Sequence, residues 1–232
     1  MMSVRRIGIV SGVVLVIGAA AAIMLRATTS LARPGEGDAS RGSFDQQITR
    51  NVHDLFEEGR QAFRFDTFGD EAFWGDTLKL HQAIEGAALG GVGAGISPKT
   101  ALQLGLKVDV DALDERTVQE LKHGRVNLDD PAVTLALLRR NAVVGVTGFF
   151  NPDGSLKSMG VQCALCHSTV DNSLSFGVGH RLDGWANRDL DVGRIIAAAP
   201  DLSSVAALLS TSQGTVRTVL MSWGPGKFDA EL

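Results

Sequence analysis

The sequence has no tyrosine, two cysteines and only 6% aromatic residues in 232 positions. So few rings leave little on which single-stranded nucleic acid could stack. Two cysteines exclude a disulfide-dense scaffold and leave no third or fourth thiolate for a structural zinc centre. Positive charge is also short, with 22 Lys and Arg against 26 Asp and Glu, a formal net charge of −4. Residues 1–32 hold Arg5, Arg6 and Arg26 and no acid, so the remainder sets 19 basic against 26 acidic side chains, or −7. An acidic body is repelled by a phosphate backbone, which excludes nucleic acid as a partner. The rest is ordinary globular composition, 44% hydrophobic and 21% charged, enough for one or two domains with a sizeable core.

Both cysteines fall in one pentapeptide, Cys163-Ala164-Leu165-Cys166-His167. Thiols three positions apart lie about one helical turn from each other and can reach two vinyl groups on one edge of a porphyrin. The next residue, His167, is then placed under the ring as the proximal iron ligand. A dithiol redox pair belongs beside a βαβ pattern, which is not visible here, and a disulfide across so short a loop would be strained. The pattern predicts one covalent haem c, held by Cys163 and Cys166 and ligated by His167.

The amino terminus has the form of an export signal: a basic start through Arg6, then the uncharged run Ile7–Leu25. Ser30-Leu31-Ala32 suits cleavage after Ala32. The apolar run is also close to the roughly 20 residues that span a bilayer, so an uncleaved inner-membrane anchor over 7–25 competes with cleavage. Both readings export the body to the periplasmic side, where this motif receives its haem, and both confine membrane contact to this segment.

Residues 33–42, rich in glycine and charge, read as a linker. Helical spacing from Phe44 to Phe63 predicts a helix with His53 on its flank, and a second is expected from Glu71 to Ile84 with Asp70 as cap and His81 on its surface. Five glycines between Gly86 and Gly95 do not complete a dinucleotide fingerprint and read as a mobile loop. Short helices are expected at Pro98–Leu104 and Glu115–Lys122, a short strand at Val108–Val110, and a buried helix at Ala132–Arg140. A β-hairpin, Ala142–Phe150 with Leu156–Val161, turns at Asn151-Pro152-Asp153-Gly154 and delivers the chain to Cys163. Further helices are expected at Asp201–Leu209 and Thr215–Met221. The domain division is 1–32 signal or anchor, 33–42 linker, 43–161 helical extension with the hairpin, and 162–232 haem segment. The fold class is mainly α, a cytochrome c-like helical haem domain with a long amino-terminal helical extension.

The sixth iron ligand decides between electron transfer and chemistry. His180 in Gly177-Val178-Gly179-His180 is preferred, because the glycines allow close approach and Asp183 can support the ring. Met221 is the alternative, and Met159 a third candidate. Trp185 and Trp223 read as buried packing residues.

Gly59-Arg60-x-x-Phe63-x-Phe65-Asp66, and Gly177-x-Gly179-His180 followed by Asn187-Arg188-Asp189-Leu190, resemble bacterial dihaem cytochrome c peroxidases. The resemblance covers about Gln162–Ile195, with a fainter echo at Gly59–Asp66. It implies His180 as a distal haem ligand and a peroxidase ancestry. The chain departs from that family in having a single attachment motif and no glutamate between Glu120 and Glu231, so the family's acid–base glutamate has no counterpart; Asp183 and Asp189 are the substitutes to consider. The ending after Trp223-Gly224-Pro225-Gly226 suggests the amino-terminal part of a longer two-haem cytochrome, or a shortened gene product. The expectation is an exported monohaem protein that exchanges electrons with a redox protein or a quinone-linked donor or acceptor. A peroxide-reducing enzyme and a haem sensor or structural subunit are the other readings.

Overall fold

The computed structural model describes residues 36–227, with side chains from Gly42 onward. The expected signal or anchor lies outside the described residues. Among those described, no helix is long and apolar enough to cross a membrane. The chain divides into two units between Phe56 and Glu57.

Helix α1 (Glu36–Phe65) starts inside the stretch read as a linker, earlier than the helix start expected at Phe44. Gly37 and Gly42 each cost about 1 kcal/mol relative to alanine in a helix, but extending an existing helix needs only propagation, and Glu36, Ala39 and Arg41 tolerate it. In the first unit the periodic apolar residues Phe44, Ile48, Val52 and Leu55 are exposed rather than packed in a core.

In the second unit the helix expected over 71–84 is broken. A π-helical turn (Phe73–Thr77) leads to Lys79 in the left-handed region at φ 54°, and only then does α2 (Leu80–Glu85) begin. Tertiary contacts override local propensity here. Asp70 accepts from the Trp74 indole N–H at 2.6 Å and the Val161 amide at 3.0 Å instead of capping, while the Ser158 hydroxyl donates to the Glu71 carbonyl at 2.5 Å. The glycine-rich stretch folds into a loop closed by the Ala87 and Val92 amides, which donate to Gly93 O and Gln82 O.

Helix α3 (Pro98–Gln103) is capped by Ser97, and β1 (Val108–Asp109) follows. Then come α4 (Glu115–Lys122), capped by Asp114, and α5 (Pro131–Arg139), capped by Asp130, which buries Thr134, Leu135, Leu137 and Leu138. Each cap accepts a backbone N–H that the first helical turn leaves without a partner.

Strands β2 (Val146–Phe150) and β3 (Leu156–Val161) form the expected antiparallel hairpin, with Val146 opposite Val161 and Gly148 opposite Met159. It opens later than expected because Val143 bridges to Val108 and the Val144 amide donates to Lys107 O, drawing that stretch into the core.

The motif forms a one-turn helix, α6 (Ala164–His167). After it come β4 (Ser168–Val170), β5 (Val178–Gly179) and β6 (Arg181–Asp183). Strand β4 pairs antiparallel with β6, and β5 pairs parallel with β1. Helices α7 (Val192–Ala197), α8 (Ser203–Leu208) and α9 (Gln213–Ser222) complete the described residues, which are mainly helical with short strands in two-stranded sheets. Leu78, Leu156, Leu190 and Leu202 lie at the centre of the core.

Candidate haem site

The motif turn is held on every side by backbone. Gln162, 2% exposed, donates its amide N–H to Gly145 O at 3.1 Å and its side-chain NH2 to Phe65 O at 3.4 Å. On the far side the Asn187 amide donates to Cys166 O at 2.9 Å and the Gly184 amide to His167 O at 2.8 Å. Underneath, Gly145 at φ 78° comes so close that a Cβ there would lie 2.1 Å from Leu165 Cα. Only glycine satisfies both the left-handed angle and that approach.

Within this frame Cys163 and Cys166 are free thiols of intermediate burial. Burial pushes the Cys166 thiol above its ordinary pKa, which keeps it protonated. His167 is exposed.

Residues 63–65 and 181–183 meet beside this turn. The Arg64 guanidinium pairs with Asp183 Oδ2 at 2.6 Å, and Asp183 Oδ1 accepts the Ser168 hydroxyl at 2.8 Å. Arg181 lies over the Phe65 ring, 5.7 Å from its centroid, and pairs with Asp109 at 3.2 Å, both side chains being buried. Desolvation lowers the pKa of Arg181, and Asp109 opposes that shift. Phe63 packs against Val144, Ala164 and Val170.

An apolar cavity of about 200 Å³ lies beside the turn, with Trp74, Ile84, Leu138, Met159, Leu165 and Cys166 in its wall. That is below the roughly 300–1,000 Å³ typical of cofactor sites. Thr134 also lines it, and its buried Oγ1 has no hydrogen-bond partner. His81 is not in the wall; its Nδ1 is buried without a partner, and desolvation lowers its pKa against the opposing pull of Glu85 and Asp76.

The structure brings Cys166 and Met159 into one wall, while Cys163 and His167, on the same helical turn as Cys166, lie outside it. Nor does it bring His180 into the wall. That side chain is exposed, with Nδ1 2.8 Å from Asp111 Oδ1. The glycine before it serves a different purpose: a Cβ on Gly179 would lie 2.1 Å from Asp171 Oδ1, the carboxylate that accepts from the His180 amide. Met221 is 53% exposed on α9 and also lies outside the wall.

Asp183 and Asp189 are both engaged, the first with Arg64 and Ser168, the second with Lys107 at 2.6 Å. Trp185, expected in the core, is 66% exposed, because the turn after β6 points outward. Trp223 packs partly into the core. Among the described residues no three of His, Cys, Asp and Glu gather as a protein-held metal site. Sequence reasoning did not identify the cavity, because its wall is assembled from segments spread between Trp74 and Ala198.

Comparison with protein-family models, with curated proteins and with solved structures found no match.

Proposed function

We propose that the protein is an exported c-type cytochrome with one covalent haem and an electron-transfer role. The observation that carries this reading is the Cys-x-x-Cys-His turn with two free thiols, set beside an apolar cavity with Cys166 in its wall. The residue types of the turn suit the group, with Cys166 in the cavity wall and Cys163 and His167 outside it. Cys163 and Cys166 would each add an S–H across one vinyl group, so no atom is lost and no oxidant is needed, and the exposed His167 would ligate iron. Bound haem would supply a ferric/ferrous couple, and the chain would contribute the His167 ligand and an apolar wall beside it.

Electron transfer is favoured over peroxide reduction by the state of the nearby carboxylates. A peroxidase needs a group able to move a proton beside the bound peroxide. Asp183 and Asp189 are instead each paired with a cation. The cytochrome c-like fold, the periplasmic location and a redox protein or quinone-linked partner belong to the same proposal. A redox titration of the haem-loaded protein tests it. The expected result is one reversible one-electron wave with no peroxide turnover above that of free haem peptide; steady peroxide consumption would replace this reading with the enzymatic one.

A further inference from the structure

We propose that the apolar cavity beside the motif turn binds a small neutral aromatic molecule with one hydrogen-bond acceptor, an aryl ketone or aldehyde in class, whose carbonyl accepts from the Thr134 hydroxyl. This goes beyond the covalent-haem reading and does not depend on it, because it concerns the chain with both thiols free.

Size sets the first limit. A dry cavity of about 150 Å³ lined by aliphatic and aromatic side chains holds one benzene. At about 200 Å³ this cavity has room for one ring and a short substituent. Charge sets the second limit. Trp74, Leu80, Ile84, Ile96 and Leu138 are typical of the wall, and among the described residues no Asp, Glu, Lys, Arg or His lines it. An ionised ligand would enter without a counter-charge, which excludes carboxylates and amines. Thr134 sets the third. It lines the cavity on α5, is 6% exposed, and has a buried Oγ1 without a hydrogen-bond partner. An unpartnered buried hydroxyl is costly, so a ligand oxygen that accepts from it gains over an apolar ligand of the same shape. Water is the poorer occupant. It needs about three polar partners, and the side chains of the wall offer the Thr134 hydroxyl and the weakly bonding Cys166 thiol.

The test uses the full chain made with both thiols free and titrated calorimetrically with acetophenone, cumene and benzoate. Acetophenone should bind about tenfold more tightly than cumene, which has nearly the same shape without the oxygen, and benzoate should not bind. Thr134→Val, which keeps the shape and removes the hydroxyl, should bring acetophenone down to the level of cumene and leave cumene unchanged. Position is read by alkylation with iodoacetamide and mass spectrometry. Bound acetophenone should slow modification of Cys166, in the wall, and leave that of Cys163, outside it, as it was. If the valine variant does not fold, the acetophenone–cumene ratio and the cysteine map of wild type decide. No binding of acetophenone, equal affinity for acetophenone and cumene, a preference retained in Thr134→Val, or unchanged modification of Cys166 overturns the assignment. None of these readouts involves haem, so their failure leaves the covalent-haem reading standing, and a chain that never attaches haem leaves this one standing.

Discussion

At the scale of single residues, carboxylates in this protein are mostly spent on holding loops and cations in place. Lys107, 1% exposed, is met in the interior by Asp189 at 2.6 Å, and the Phe176 ring lies 4.8 Å away. Asp201 shows the same habit at a helix entrance. Its carboxylate accepts from the Ser203 hydroxyl and amide and pairs with Lys79, which lowers its pKa from 3.8 to about 2. A carboxyl whose folded pKa lies below its unfolded value stabilises the native state above the unfolded pKa, and that contribution is lost as pH falls through the folded one. Between pH 3.8 and about 2, unfolding free energy should therefore fall more steeply in wild type than in Asp201→Asn, as read by urea denaturation at a series of pH values. Parallel curves for the two would show that the carboxylate is not coupled to folding.

At the scale of elements, the motif turn depends on what passes beneath it. Replacing Gly145 with alanine forces a methyl into Leu165 at a backbone angle that alanine resists, so α6 must move or the β2 entrance must distort. The expected cost is about 2–4 kcal/mol in denaturant, with a clear loss of covalent haem yield; stability and yield equal to wild type would mean the approach is not tight. Several elements were legible because local signals decide them. Asp114 and Asp130 fix the starts of α4 and α5, and the turn at Asn151–Gly154 joins the hairpin within its expected bounds. Others were not legible. Strands β4, β5 and β6 have two or three residues each, too few to show a period, and exist through pairing with distant partners. The break between Phe73 and Leu80 follows from Asp70 and Ser158 bonding across the fold, which spacing along the chain does not encode. The glycine before His180 was not legible either, since it answers to Asp171.

At the scale of the whole molecule, an apolar cavity and the Cys-x-x-Cys-His turn lie side by side. The Cys163–His167 turn proposed to attach haem stands out in the sequence because that chemistry would demand a fixed local spacing. The cavity does not, because its wall is contributed by segments from Trp74 through Leu165 to Ala198 that only the fold collects. Covalent haem is the claim on which the rest depends, and it is measured most directly by the pyridine haemochrome spectrum of protein matured in an export-competent host, after extraction with acidified organic solvent. The account predicts one haem per chain that resists extraction, with a haemochrome band at the position for two saturated vinyl groups. It further predicts a one-thioether spectrum for either Cys163→Ala or Cys166→Ala, and no retained haem for the double variant. Wild-type protein that gives up all its haem to the solvent, or takes up none, would contradict it.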